Sequence, residues 1–245
     1  MPAEPAKFLT AEWRHLVMLN FEIDQTLKFF NQKIPAGTEL DFWNGRTYVS
    51  IVGFRFLNTK LRGMAIPFHR HFSEVNLRFY VRRKVDGEWR RGVVFIKEIV
   101  PLHAVAFVAR RVYNENYVTR RMRSRIALPG RDNSGGVLYE WKHRGHWQRL
   151  AASISGEPRF VDAASQEAFV TERYWGYTRQ RDGGTVEYQV EHPPWRVWPA
   201  EKPEFDCDVH NVYGSDFAGV LARKPSSIFV AEGSAVVLRR GRRIE

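Results

Sequence analysis

A single cysteine, Cys207, in 245 residues rules out any intrachain disulfide, and with it the secreted, disulfide-framed scaffolds. The chain also has no run of about 18 apolar residues, the length a membrane-crossing helix needs. Its opening, MPAEPAKFL, lacks the basic stretch, apolar core and small-residue cleavage site of an export signal. The expectation is a cytoplasmic protein with no membrane partner. Proline and glycine do not gather into a linker, and no segment repeats at solenoid or propeller spacing. No G-x-S-x-G elbow, phosphate-binding loop, dinucleotide fingerprint or paired-cysteine zinc pattern occurs, so no cofactor is expected. Cys207 lies between Asp206 and Asp208, and neighbouring carboxylates raise a thiol pKa, which argues against a thiolate nucleophile.

What is present is an ordinary globular composition, with 44% hydrophobic and 27% charged residues. A chain of this length can bury roughly 70–75% of its unfolded surface, enough for a core without metal or disulfide staples. A single domain over 1–245 is expected. Lysine and arginine number 38 against 27 acidic residues, a net charge of +11 that favours an anionic partner or ligand.

The strand signal dominates. Residues 13–23 and 46–57 are rich in β-branched and aromatic side chains. Between them Asp24 caps a short helical segment, 25–30, before the turn Ile34-Pro35-Ala36-Gly37. Residues 74–81 alternate, with Val75, Leu77, Phe79 and Val81 on a core face and Glu74, Asn76, Arg78 and Tyr80 on a polar one. Asp86-Gly87 signals a hairpin into a strand over 92–99. Leu102, Val105, Ala106, Ala109, Val112 and Tyr113 recur at helical spacing, predicting an amphipathic helix over 102–113. Further strands are predicted at 136–143, 146–154, 174–181, 185–192, 227–230 and 235–240, and a helix at 162–172. The fold class is therefore α+β and predominantly antiparallel β, closed or nearly closed because so many strands would otherwise leave edges.

Four groups of residues have a composition suited to chemistry. His69 and His71, two apart with Glu74 beyond, have metal-like spacing, but Arg70 between them opposes a cation and a solvent-facing basic loop is the better reading; no metal is expected. Arg110, Arg111, Tyr113, Asn114, Glu115 and Tyr117 offer guanidinium groups, a carboxylate and two phenols, or else an ordinary charged helix end. Arg121, Arg123 and Arg125 share one strand face, either a phosphate-tracking stripe or a solvated face paired to acids. Glu172 to Tyr177 and Glu191 to Trp195 bring dense aromatics to wall a pocket or fill a core, and leave His192 as an acid, a base or neither.

Trp13, Leu19-Asn20-Phe21, Ile34-Pro35, Tyr48-Val49-Ser50-Ile51-Val52, Glu74-Val75-Asn76-Leu77-Arg78, Ala109-Arg110-Arg111-Val112-Tyr113-Asn114-Glu115, Glu172-Arg173-Tyr174 and His192-Pro193-Pro194-Trp195 resemble the YqjF-like proteins over nearly the whole chain. These are a bacterial family of unknown function. Over residues 11–120 the chain is also similar, more distantly, to acetoacetate decarboxylase. That resemblance implies an antiparallel barrel or cone of strands around an internal pocket. It aligns Glu74 with the pocket glutamate and Arg110 with the helix-end arginine of that enzyme. It aligns Tyr117, however, with the Schiff-base lysine, and Val118 with the lysine that activates it. A phenol cannot form an imine. The resulting expectation is a pocket for a small anionic or carbonyl-bearing molecule. Arg78 and Arg110 would anchor charge, Asn76, Tyr113, Asn114 and Tyr117 would bind and orient, and Glu74 or Glu115 would carry the proton in any acid/base step. The alternative is a basic interaction protein, with residues 120–125 and Arg239, Arg240, Arg242 and Arg243 contacting nucleic acid or an acidic partner.

Overall fold

Residues 5–24, 28–103 and 114–244 are described by the computed structural model. The predicted helix over 102–113 lies almost wholly outside them. Four long strands set the frame: β1 (Lys7–Ile23), β3 (Thr47–Leu61), β5 (Phe72–Val85) and β6 (Glu88–Val100). The short helix α1 (Lys28–Asn31) and strand β2 (Glu39–Leu40) connect the first two, and β4 (Met64–Ala65) folds back on β3. Beyond them come β7 (Tyr117–Thr119), β11 (Trp175–Arg179), β12 (Thr185–Glu191) and β14 (Ser227–Arg239).

Seven of these strands join in a ring. Its order is β1, β3, β5, β6, β11, β12 and β14, and β14 pairs back onto β1. Two joints are short: β6 meets β11 in parallel through Trp175 opposite Gly92 and Gly176 opposite Val93, and β12 meets β14 through Val190 opposite Leu238 and Glu191 opposite Val237. The other joints are long antiparallel ladders. From β14 the sheet continues outward through β13 (Val197–Asp206), β10 (His146–Ser155), β9 (Ser134–His143) and β8 (Met122–Ala127). Strand β15 (Arg242–Ile244) extends the other end, against β12.

This topology buries both faces of the ring strands, and β1 shows how. Leu16 and Met18 point inward with Tyr48, Val52, Phe54, Tyr80 and Trp195. Val17 and Leu19 point outward into a core shared with Tyr139, Trp141 and Leu150 of the outer strands. The outer core also takes Val212 and Tyr213 of α3 (Val209–Tyr213) and Phe217, Val220 and Leu221 of α4 (Ser215–Leu221). A continuous apolar run such as Leu16-Val17-Met18-Leu19 is what a strand covered on both sides requires. The same holds for β5, with a consequence for the site. Its face carrying Glu74, Asn76, Arg78 and Tyr80, polar by sequence, is as fully buried as its apolar face.

Residues 227–239 form one continuous strand, β14, rather than the predicted two. Gly233 at the intended break instead adopts φ +81°, where a Cβ would sit 1.9 Å from the Trp13 carbonyl oxygen. Glycine there lets β14 stay in register with β1 where the β1–β3 pairing slips between Arg14 and Val17, around His15 at φ +57°. Gly233→Ala is expected to cost about 2 kcal/mol from the left-handed backbone and this contact, read as a lower urea midpoint at unchanged slope. An unchanged midpoint would refute it.

Helix α2 (Gln166–Thr171) lies inside the predicted 162–172 segment and is capped by Ser165, whose Oγ accepts from Ala168 N at 3.1 Å. No helix among the described residues is long and apolar enough to cross a membrane.

Candidate functional site

The interior of the ring is not completely filled. A cavity of about 60 Å³ remains, bounded by Glu74, Asn76 and Arg78 of β5, Val93, Phe95 and Glu98 of β6, Tyr117 of β7, and Tyr188 and Val190 of β12. It has room for about four waters or one molecule of similar bulk. Trp13, Phe54, Phe56, Trp175, His192 and Trp195 complete an aromatic wall.

The presence of Glu98 follows from a bulge. Up to Phe95, alternate residues of β6 face inward, a rhythm that would bring Lys97 into the cavity next. The β5–β6 register slips between Leu77 and Arg78: Arg78 lies opposite Phe95, but Leu77 lies opposite Lys97 and Asn76 opposite Glu98. The extra residue reverses the alternation, a re-aiming typical of β-bulges. Glu98 therefore turns inward, and Lys97 turns outward to donate to the Val212 carbonyl. Among the described residues that bound the cavity there is no lysine.

Three carboxyls meet behind this wall. Asn76 Nδ2 donates to Glu74 Oε1 at 2.9 Å, and the Tyr117 hydroxyl donates to Glu74 Oε2 at 3.2 Å. Glu98 lies opposite Tyr117 in the pairing of β6 with β7 and interacts with Tyr117 and Glu115. Glu115 Oε1 accepts from Thr178 Oγ1 at 2.5 Å and from the Tyr188 hydroxyl at 3.1 Å. Tyr188 reaches it because Gly176 lies opposite on β11: a Cβ there would be 2.1 Å from Tyr188 Cζ.

Burial controls the ionisation of the cluster. It pushes the Glu74 carboxyl up to about 7, against the hydrogen bonds from Asn76 and Tyr117 and the charge of Arg78. It pushes Glu115 up to about 7 against Thr178 and Tyr188, with Glu74 adding to the rise. Glu98 rises well above the carboxylate range, through burial first and then repulsion from Glu115 and Glu74. Among the described residues its Oε2 has no hydrogen-bond partner. A proton on Glu98 turns a clash of carboxylates into a hydrogen bond, so neutral Glu98 is the form the site favours. Burial likewise holds the Tyr117 phenol protonated.

Positive charge also reaches the cavity. Arg78 Nη2 donates to the Val170 carbonyl at 3.1 Å, and its buried Nε has no partner among the described residues. Arg173 is held by Asp41 at 2.5 Å with its guanidinium 3.9 Å over the Phe169 ring. His192 stacks on Trp195 at 4.2 Å, and burial lowers its pKa, which favours neutral imidazole.

Of the sequence-predicted residues, Glu74, Asn76, Arg78 and Tyr117 converge on the cavity. Glu115 stands behind it and also borders an outer groove of about 220 Å³, which Asn114, Asn116 and Thr178 share. Asn114 belongs to this groove alone, its Nδ2 donating to the Arg179 carbonyl. Arg110 and Tyr113 lie outside the described residues. Glu98, Arg173 and Tyr188 carry no assigned role in the sequence, although a lone glutamate inside the apolar run Val93 to Val100 is a signal for Glu98.

The other groups make ordinary contacts. His71 Nδ1 accepts from Asn58 N and His69 Nδ1 meets the Pro67 carbonyl; no cluster of three His, Cys, Asp or Glu residues able to hold a metal occurs among the described residues. Arg123 pairs with Glu140 at 2.5 Å and lies over Trp147, and Arg239, Arg242 and Arg243 pair with Glu191, Glu187 and Asp182. Burial, with Asp208 and Asp206 adding, pushes the Cys207 thiol up to about 12.

Solved structures with this architecture include acetoacetate decarboxylase from Legionella pneumophila, at TM-score 0.65 and 15% identity over 100% of this chain and 92% of that one. The enduracididine biosynthesis enzyme MppR in complex with pyruvate aligns at TM-score 0.66 and 13% identity, again over 100% and 92%. The fold is thus the acetoacetate decarboxylase-like cone of strands. By sequence, the uncharacterized protein YqjF of Bacillus subtilis (strain 168) is 25% identical over 193 residues, 77% of this chain and 74% of that protein. Residues 10–235 match the family DUF2071, described as an uncharacterized conserved protein, and with that span the chain belongs to the DUF2071 family.

Proposed function

We propose that the cavity binds a small carboxylate that also bears a carbonyl group, and that any chemistry on it is acid/base chemistry through Glu74 rather than imine formation. The observation that carries this reading is the inward row on β5, where Glu74, Asn76 and Arg78 follow at every second residue. That row spans about 13 Å of strand, with a guanidinium at one end and a carboxyl poised near neutrality at the other. Arg78 suits a carboxylate. Glu74 and the Tyr117 phenol suit a carbonyl oxygen, to which each can donate a hydrogen bond while protonated. The pyruvate in the MppR complex has both groups. In the sequence resemblance Tyr117 takes the place of the decarboxylase lysine, and the β6 bulge directs Lys97 away, so among the described residues that bound the cavity no amine is at hand to attack a carbonyl.

Titration calorimetry with pyruvate tests the reading. Saturable binding is expected for the wild type, with affinity at least tenfold weaker for Arg78→Lys, which keeps charge but loses the planar fork. Borohydride added to the pyruvate complex is expected to leave the protein mass unchanged. Equal affinity in wild type and Arg78→Lys would remove Arg78 as the anchor, and a mass increase would establish an imine after all.

A further inference from the structure

The three carboxyls form a path as well as a cluster. Glu74 faces the cavity, Tyr117 donates to Glu74 and lies opposite Glu98 on the neighbouring strand, Glu98 interacts with Glu115, and Glu115 borders the outer groove. The row thus runs from a carboxyl that lines the cavity to one that lines the groove. A solely structural cluster has no need to run through the wall. Nor does burying a third carboxyl with one oxygen undonated help stability, because an unpaired buried polar atom costs free energy.

We propose that Glu98 and Glu115, with Tyr117, are a proton relay between the groove and Glu74. The relay rests on the reading of the cavity as the ligand site, since its inner terminus is the group that would exchange a proton with the ligand. Glu74 gives its proton to the bound molecule and becomes a carboxylate. Tyr117 then passes its hydroxyl proton to Glu74 while accepting one from Glu98. Glu98 is reprotonated by Glu115, and Glu115 takes a proton from water in the groove. Each group gives one proton and receives one, so a single proton crosses the wall and no ion is left within it. Glu98 is placed as a positioning and shuttling residue.

The groups facing the relay fit the role. Among the described residues, the groups that act most on Glu98 are Glu115, Glu74 and Tyr117, none of them a cation. Glu74 has Arg78 near, which favours its ionised form once the proton has left. Glu115 has Thr178 and Tyr188, and Lys33 and Arg179 border the groove mouth.

The test uses no ligand. Infrared spectroscopy follows the C=O stretch of protonated carboxyls as the full-length protein is transferred from water into deuterated buffer at neutral pH. A protonated-carboxyl band that Glu98→Gln removes is expected, shifting rapidly on deuteration in the wild type. In Glu115→Gln, which keeps shape and hydrogen bonds but cannot shuttle, the same band is expected to shift at least tenfold more slowly. Absence of the band, or an equal rate in Glu115→Gln, would overturn the relay. Should either occur while pyruvate still binds in an Arg78-dependent way, the relay fails and the ligand site stands. Intact relay kinetics without pyruvate binding would be the reverse result.

Discussion

Arg173→Ala is expected to lower the stability of the fold by about 3–5 kcal/mol, the largest effect of any single substitution considered. Asp41 is wholly buried, and Arg173 is its closest partner, with a 2.5 Å contact; Arg91 and Arg82 stand further off at 3.8 and 4.0 Å. Burial lowers the Arg173 pKa to about 10 despite Asp41, because the pair is shut off from water. Removing the guanidinium strands a carboxylate in that environment and exposes the Phe169 face it covers. Urea unfolding should show the loss as a lower midpoint at constant slope. The combined change Asp41→Asn with Arg173→Met should cost less than Arg173→Ala alone, because it leaves no charge unpaired. A loss below about 1 kcal/mol for Arg173→Ala would mean that the outer arginines close over Asp41.

The second large effect is on pH dependence. A carboxyl whose pKa is raised by folding binds its proton more tightly in the native state, so its contribution to stability is complete below its unfolded value and is lost as pH rises through its folded value. For Glu74 that window runs from 4.5 to about 7, and the rise corresponds to about 3 kcal/mol. Glu98 and Glu115 act in the same direction. His15, His143 and His192, lowered by burial, act oppositely as pH falls below 6.5, so the wild-type profile alone mixes the two. Comparison with Glu74→Gln separates them. Relative to wild type, that variant should gain about 3 kcal/mol between pH 5 and pH 8 in urea unfolding. Parallel profiles would show that Glu74 titrates in the fold as it does in water.

How much of this was legible in the sequence depends on the kind of signal. The alternation at residues 74–81 identifies β5 and sorts its residues into two faces, and the structure keeps both sets. A period of two says nothing about which face meets water, so a row that reads as polar surface is instead the wall of an enclosed space. Strands β13 and β15 escaped notice for local reasons. Pro199, Lys202 and Pro203 interrupt the first, and the second is three residues long and gains its order from pairing with β12. The Arg123 face, the Asp86-Gly87 hairpin and the position of Glu74 were accessible because neighbours in the chain or across one turn determine them. Glu98 depends on a register slip against another strand, which no window of one strand encodes.

That slip has a further meaning. Lys97 and Glu98 are adjacent, and a half-turn of the pleat separates an amine-lined interior from an acid-lined one. Which of these two side chains faces the interior, the lysine or the glutamate, is therefore set by one surplus residue of backbone and not by which side chains the strand carries. Within a single fold, reactivity can change sides without any residue changing identity.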